Sequence, residues 1–549
     1  MTGSFPSMRP LRLTLALRTA LSLALCAGPM LLCAPSVQAA GRLDEQLQQL
    51  LAPLSGADRL RLAGCDLRET AQLRRFYEER GFAPVWTADR GQRQRVKQLL
   101  RALEDAALHG LEPDRYHADA ISKALNDRTW SRAELLASNA FLHHARHRIN
   151  GSLNPAEVDP SWHIRHRTID PVPYLEAVAS GQPPDDVLDQ LWPDAQLYRE
   201  LVQAKRRFAA ETVDYPQIII GPGPVLTRGM RDPRVPRLRQ RLSVPGSSDR
   251  YDDPLVDAVM AFQGRAGVAA DGLVGEQTLT QLNRTPGERL RQIDANLERW
   301  RWLPAELPPR FILVNPAAFR LTAVNEGQTV LELPVIVGKP DRPTPTLREN
   351  LQYLVFNPYW DVPESIAVRD KLPELREDPS RLAAQGLEAA PVGSSEPARA
   401  MVPVDQIRWH DVPEEPFPYR LRQRPGPTNP LGRLKFMLPN ADEIYLHDTP
   451  DVGLFEKCQR SFSSGCVRVA DVLRLAEWVL QFQHEPWDRA SIENQLTSSE
   501  TRTVTLDMPV PVFIVYFTSY VDERGTLRFQ PDLYDRDAVI INALHGAAL

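Results

Sequence analysis

Near Leu303-Pro304 the hydrophobic pattern of the chain changes period. Upstream, apolar residues recur at helical spacing. Val96, Leu99, Leu100, Leu103 and Ala107 form such a stripe over 93–108, which stops at Gly110 with Pro113 beyond it. A second helix is expected over 133–149. Downstream, 310–315, 319–324 and 330–337 read as strands, and 510–520 with 526–529 reads as a hairpin around Glu523-Arg524-Gly525, added to the same sheet. At 549 residues the chain exceeds one core, so three or more domains are expected. Its 49 prolines favour short elements and rigid turns. The fold class is therefore multidomain α+β: helical in its first half, β-rich in its second.

The first 39 residues read as an export signal. Arg9, Arg12 and Arg18 precede an apolar stretch ending near Cys33, and Ser36-Val37-Gln38-Ala39-Ala40 offers a small-residue cleavage site after Ala39. The stretch is short for a spanning helix, so no stable membrane span is expected after cleavage. Such a signal directs the protein out of the cytoplasm. A net charge of -5, with no Lys/Arg-rich tract, argues against nucleic acid as a partner. After cleavage Cys65, Cys458 and Cys466 remain, too few for a disulfide scaffold; Cys65 and Cys458 are free to pair, which leaves Cys466 as an odd thiol.

The organisation reads as a helical scaffold over 43–225, closed by Gly221-Pro222-Gly223-Pro224, and a small unit over 231–284. A connecting helix follows over 286–304. A β-rich domain spans 308–496, and 500–549 completes it. In the small unit, Ala261-Phe262-Gln263, the Asp271-Gly272 turn and the run Gly275 to Leu279 resemble the peptidoglycan-binding domain family, a compact three-helix module. His143, His144 and His147, with His163 and His166 nearby, include an i, i+4 pair of the kind that binds zinc. No Cys or Glu pattern completes a site, so an ordinary helical surface is expected and no metal. Trp300, Trp302, Tyr359 and Trp360 could stack on sugars, but core packing is the expected role.

Chemistry concentrates in two segments, Ile444-Tyr445-Leu446-His447-Asp448-Thr449 and Ser463-Ser464-Gly465-Cys466-Val467-Arg468. The first alternates like a strand; the second is expected to open a helix over 471–481. A cysteine near a helix N-terminus gains thiolate character. Gly465 permits a substrate carbonyl to approach backbone N–H groups around Ser464 to Cys466, an oxyanion site. His447 is near enough in sequence to sit on a neighbouring strand and take the thiol proton. Tyr445 shares a strand face with His447 and either contacts substrate or packs in the core. Arg468 either pairs with a substrate carboxylate or braces the loop. Ser464 either joins the oxyanion site or packs. Either Asp448 or a backbone carbonyl orients His447.

These residues resemble the L,D-transpeptidases, in particular the large periplasmic members. His447, Gly465, Cys466 and Arg468 fall on the family pattern, and Ser464 stands where many smaller relatives have His. Asn357-Pro358-Tyr359-Trp360-Asp361-Val362-Pro363 resembles the entry to the family's lid, and Arg424-Pro425-Gly426-Pro427-Thr428-Asn429-Pro430-Leu431-Gly432-Arg433-Leu434-Lys435-Phe436 resembles its return. The resemblance implies a catalytic domain with a lid inserted at about 362–423, a periplasmic location, and peptidoglycan stem peptides and glycan as partners. It implies Cys466 as nucleophile, His447 as base, and no cofactor. The implied reaction is cleavage of a tetrapeptide stem before its terminal D-alanine and transfer to another stem's amine, a 3→3 crosslink. Hydrolysis instead of transfer, transfer to a lipoprotein, and a non-catalytic wall-binding scaffold are the alternatives.

Overall fold

The computed structural model describes residues 37–52, 60–213, 217–394, 399–498 and 500–546. Nearly all of the expected export signal, and so the question of its cleavage, lies outside the described residues.

The scaffold is built around the helix Trp130–Asn150. Helices Thr70–Glu79, Arg90–Glu104, Ala118–Asn126 and Val172–Ala179 pack on it. Arg90–Glu104 runs on through a short 3-10 turn and ends at Gly110, whose φ of 75° supplies the left-handed stop anticipated there. The expectation that His143, His144 and His147 lie on a helical surface is overturned, for all three are buried. His143 bonds Glu69 (2.9 Å), His147 bonds the Tyr116 hydroxyl (2.9 Å), and Arg148 donates to Nε2 of His144 (2.7 Å). A helix enclosed on every side has no polar stripe to reveal its orientation.

The small unit consists of helices Val235–Arg241, Asp253–Arg265 and Glu276–Asn283. Gln263 is fully buried at its centre. Its amide donates to Asp271, the Leu273 carbonyl and Thr278 at 2.9–3.0 Å, and accepts from Gly272 N–H at 2.9 Å. Gln263 thus explains the pairing of an Ala-Phe-Gln run with an Asp-Gly turn: one amide satisfies the turn's polar groups. Gly272 sits at φ 71°, where a Cβ would meet the Val256 side chain at 2.8 Å.

The helix Pro286–Arg301 starts with a capping box between Thr285 and Glu288 and is buried over most of its length. It is more than a connector, because the scaffold and the β-rich domain both pack on it. Glu298 accepts from Ser152 and Leu153 N–H of the scaffold (2.7 and 2.9 Å) and pairs with Arg301. On its other side Arg299 pairs with Asp537 (2.6 Å), and Asn296 bonds Thr518 (2.8 Å).

The β-rich domain has strands β1 (Arg310–Asn315), β2 (Arg320–Asn325), β3 (Gln328–Gly338), β4 (Leu347–Phe356), β5 (Leu434–Met437), β6 (Leu446–His447), β7 (Ser461–Ser463), β8 (Val467–Val469) and β9 (Arg502–Ile514). They form one sheet in the order β7-β3-β8-β6-β5-β4-β9-β1-β2, and β2 also pairs with β3, closing the sheet on itself. Apolar residues such as Leu354, Leu446, Val467 and Val512 fill the interior. The expected C-terminal hairpin is corrected. Residues 510–514 belong to the central strand β9, while Ser519–Val521 and Leu527–Phe529 pair with each other as a separate two-stranded unit.

The insertion between β4 and β5 is a folded unit. Strands Trp360–Asp361, Tyr419–Gln423, Leu387–Pro391 and Val402–Pro403 make a second sheet in that order. It covers its own core of Leu372, Leu375, Leu382, Trp409 and Leu421. The pairing of Gln423 with Trp360 closes the base of the insertion.

Candidate active site

β5, β6 and β8 lie side by side, and their register brings the chemistry together. Lys435 pairs with His447, and His447 pairs with Arg468. Directly opposed residues of neighbouring strands share a face, as do residues two apart on one strand. Tyr445 therefore lies on the same face as His447, Lys435 and Arg468. Leu446 and Val467, between them, point into the barrel core. Cys466 immediately precedes β8, beside Tyr445, and packs with Tyr445, Trp360 and Leu431.

His447 is buried. Its Nδ1 lies 2.6 Å from the Asp448 carbonyl oxygen. Burial, reinforced by the charges of Arg468 and Lys435, lowers its pKa to about 3. The imidazole is thus neutral, Nδ1–H donates to the carbonyl, and Nε2 carries the lone pair. Of the two possible orienters, the structure has the backbone carbonyl. The Asp448 carboxylate instead accepts from Arg433 N–H at 2.8 Å.

Cys466 does not lie at a helix N-terminus. It occupies the turn between β7 and β8, and the next helix, Val472–Leu480, starts only after β8. The dipole expected to favour its thiolate is absent, and burial pushes the thiol pKa up. Opposing that shift are the backbone and hydroxyl of Tyr445 and the positive charge of Lys435. The thiol donates to the Glu443 carbonyl (3.6 Å) and meets Tyr445; among the described residues no hydrogen bond joins it to His447. Apo sites often hold such groups apart until substrate enters.

Gly465 sits at φ 120°, a conformation that favours glycine, and an added Cβ would meet Ile444 at 3.3 Å. Its N–H donates to Ser463 Oγ (3.2 Å), so it is engaged within the loop, and its carbonyl accepts from Thr344 (2.7 Å). Ser464 Oγ accepts from Arg342 Nη1 (3.0 Å). That guanidinium also grips Asp370 of the insertion through two bonds, 2.6 and 2.9 Å. Arg468 reaches Asp451 at 3.3 Å, a loop-bracing contact. Tyr445 is buried, with the ammonium of Lys435 over its ring at 3.9 Å and the His447 ring 5.6 Å away.

Sequence reasoning missed Lys435 and Arg342. Lys435 alternates with the core residues Leu434 and Phe436 on one strand, a signal that it faces away from the core, but not toward what. Cys65, Cys458 and Cys466 are all free thiols, so the suggested Cys65–Cys458 pairing is not made. Among the described residues no His, Cys, Asp and Glu cluster is arranged to hold a metal.

Comparison with known proteins agrees with this architecture. Residues 71–204 match a family model described as a scaffold domain, residues 231–282 one described as "Putative peptidoglycan binding domain", and residues 309–513 the L,D-transpeptidase catalytic domain. A Haemophilus influenzae protein named "Putative L,D-transpeptidase" is 34% identical over 229 residues, which is 42% of this chain and 45% of that protein. The chain thus matches less than half the length of that relative. Among solved structures, an L,D-transpeptidase from Xylanimonas cellulosilytica aligns at 16% identity and a TM-score of 0.18, covering 54% of this chain and 99% of that one. One from Mycobacterium smegmatis aligns at 14% and 0.19, covering 38% and 58%. The chain thus carries an L,D-transpeptidase catalytic domain over residues 309–513, preceded by regions that match a scaffold domain and a putative peptidoglycan-binding domain.

Proposed function

We propose that the protein is an L,D-transpeptidase acting outside the cytoplasm, with Cys466 as nucleophile and His447 as base, forming 3→3 crosslinks between peptidoglycan stems. The observation that carries this reading is the placement of Cys466 beside the strand on which Tyr445 and a neutral His447 face the same side. Extracytoplasmic action follows from the wall polymer as substrate and fits the export signal read at the N-terminus. Among the described residues no helix is long and apolar enough to cross a membrane.

In the proposed reaction His447 Nε2 takes the Cys466 proton as Sγ attacks the carbonyl carbon of the third stem residue. Collapse of the tetrahedral species breaks the C–N bond to D-alanine, and the imidazolium protonates the departing amine. The amine of a second stem then attacks the thioester and gives its proton to Nε2, and the thiolate leaves. Two acyl transfers need a nucleophile, a base and hydrogen-bond donors for the oxyanion. Tyr445, Ser464 and the loop N–H groups other than that of Gly465 are the candidate donors. Arg468 serves as a brace through Asp451.

The test is mass spectrometry of wild type and Cys466→Ala after incubation with a defined tetrapeptide muropeptide. Release of D-alanine with a 3→3 dimer from the wild type alone supports the reading. Tripeptide without dimer would make the protein an L,D-carboxypeptidase. Equal inertness of two folded proteins would favour a wall-binding scaffold.

A further inference from the structure

Lys435 is half-buried, and its ammonium, among the described residues, enters no ion pair or hydrogen bond; it lies over the face of Tyr445, at 3.9 Å. A lysine so enclosed gives up hydration without the usual carboxylate partner, a cost that is unusual unless the charge is used. The register places it opposite His447 on the face that also bears Tyr445, beside the Cys466 turn.

We propose that Lys435 is the cation that stabilises the Cys466 thiolate, a role that rests on Cys466 being the nucleophile. In many cysteine enzymes a protonated histidine supplies that charge. Here the imidazole is held neutral, so it accepts the thiol proton but offers no standing positive charge. Arg468, the other cation on this face, is drawn to Asp451. Lys435 remains, over the ring of the tyrosine that contacts the thiol. Burial lowers its pKa, while Cys466, Asp361 and Glu443 act in the opposite sense and favour its protonated form. The charged and titratable groups acting on the thiol are therefore Lys435 on β5, Tyr445 just before β6, Glu443 in the preceding loop and Arg468 on β8; His447 on β6 feels Lys435 and Arg468, and Asp361 at the base of the insertion acts on Lys435 and Tyr445.

The experiment is the pH dependence of iodoacetamide alkylation, read at the Cys466 peptide by mass spectrometry. The exposed Cys458 of the same chain serves as internal reference. Lys435→Met is expected to move the Cys466 midpoint up by about one to two pH units, leaving Cys458 where it was. Lys435→Arg should hold the wild-type midpoint. If Lys435→Met fails to fold, Lys435→Gln is read in its place. A midpoint unchanged on neutralisation, or an equal shift in the arginine variant, overturns the proposal. The readout is independent of crosslinking: a Cys466→Ala enzyme that still crosslinks would refute the nucleophile assignment, whereas coincident alkylation profiles would refute only the role of Lys435.

Discussion

Nδ1 of His447 is tied at 2.6 Å to the carbonyl oxygen of the next residue, Asp448, while the carboxylate of Asp448 turns to the N–H of Arg433. The imidazole is thus oriented by backbone that no side-chain substitution removes. In a triad oriented by a carboxylate, replacing that acid with its amide costs about 10⁴ in turnover through the wrong tautomer. Asp448→Asn is expected to keep turnover within about threefold of wild type, because the amide oxygen still accepts from Arg433. Steady-state D-alanine release checks this; a loss of thousands would mean that the carboxylate acts on His447 after all.

A second prediction concerns acid. The folded chain holds His447 at about 3 and His109 at about 2, and burial also lowers His143, His144 and His147. Unfolded, these groups titrate near 6.5. A depressed folded pKa contributes stability that is complete above the unfolded value and is lost as pH falls through the window down to the folded one. Between about pH 6.5 and 3 His447 should cost up to about 1.4 kcal/mol of stability per pH unit, and the other buried histidines act in the same direction. Thermal unfolding should therefore shift down steeply from pH 7 to pH 4. A folded His447→Gln variant should show a shallower slope over that range; a slope equal to wild type would mean that His447 is not held neutral.

What the sequence disclosed depended on how local the determinant was. The stop at Gly110 and strand β1 were legible because a turn glycine and a flanked apolar run act within a few residues. The Cys466–His447 neighbourhood was legible through its motif. The buried histidines of Trp130–Asn150 were misread because a helix packed on all sides shows no polar face. Cys466 was assigned to a helix start because the helical pattern begins close behind it; strand β8 intervenes. Lys435 and Arg342 could not be placed, since their roles follow from closure of the barrel and docking of the insertion. Both are non-local events that strand alternation does not encode.

Arg342 bridges the inserted unit and the Cys466 loop, holding Asp370 and Ser464 with the same guanidinium. Because the insertion has its own core, releasing it need not unfold it. Arg342→Ala should leave acylation of Cys466 within a fewfold of wild type while raising the ratio of hydrolysed tripeptide to 3→3 dimer several-fold, since a loosened cover admits water. Asp370→Asn should move the ratio in the same direction by less, one charge of the pair being retained. Chromatographic quantification of the two products decides. An unchanged ratio in Arg342→Ala would show that the bridge does not control water access.

The last prediction lies far from the thiol. Glu298 and Arg301 are fully buried and paired, and Glu298 also receives Ser152 N–H, Leu153 N–H and the Trp302 indole N–H (3.0 Å). Such a pair adds little relative to an apolar packing, but removing one partner strands the other charge, at about 3–5 kcal/mol. Glu298→Gln should therefore lower the urea midpoint far more than Glu79→Gln, an exposed acid on a scaffold helix. Since Pro286–Arg301 is shared by two domains, the loss should also uncouple them, turning a common transition into two. Following intrinsic tryptophan fluorescence and far-UV circular dichroism together tests this. If the two signals still coincide and the midpoint matches that of Glu79→Gln, the buried pair is not what joins the scaffold to the catalytic domain.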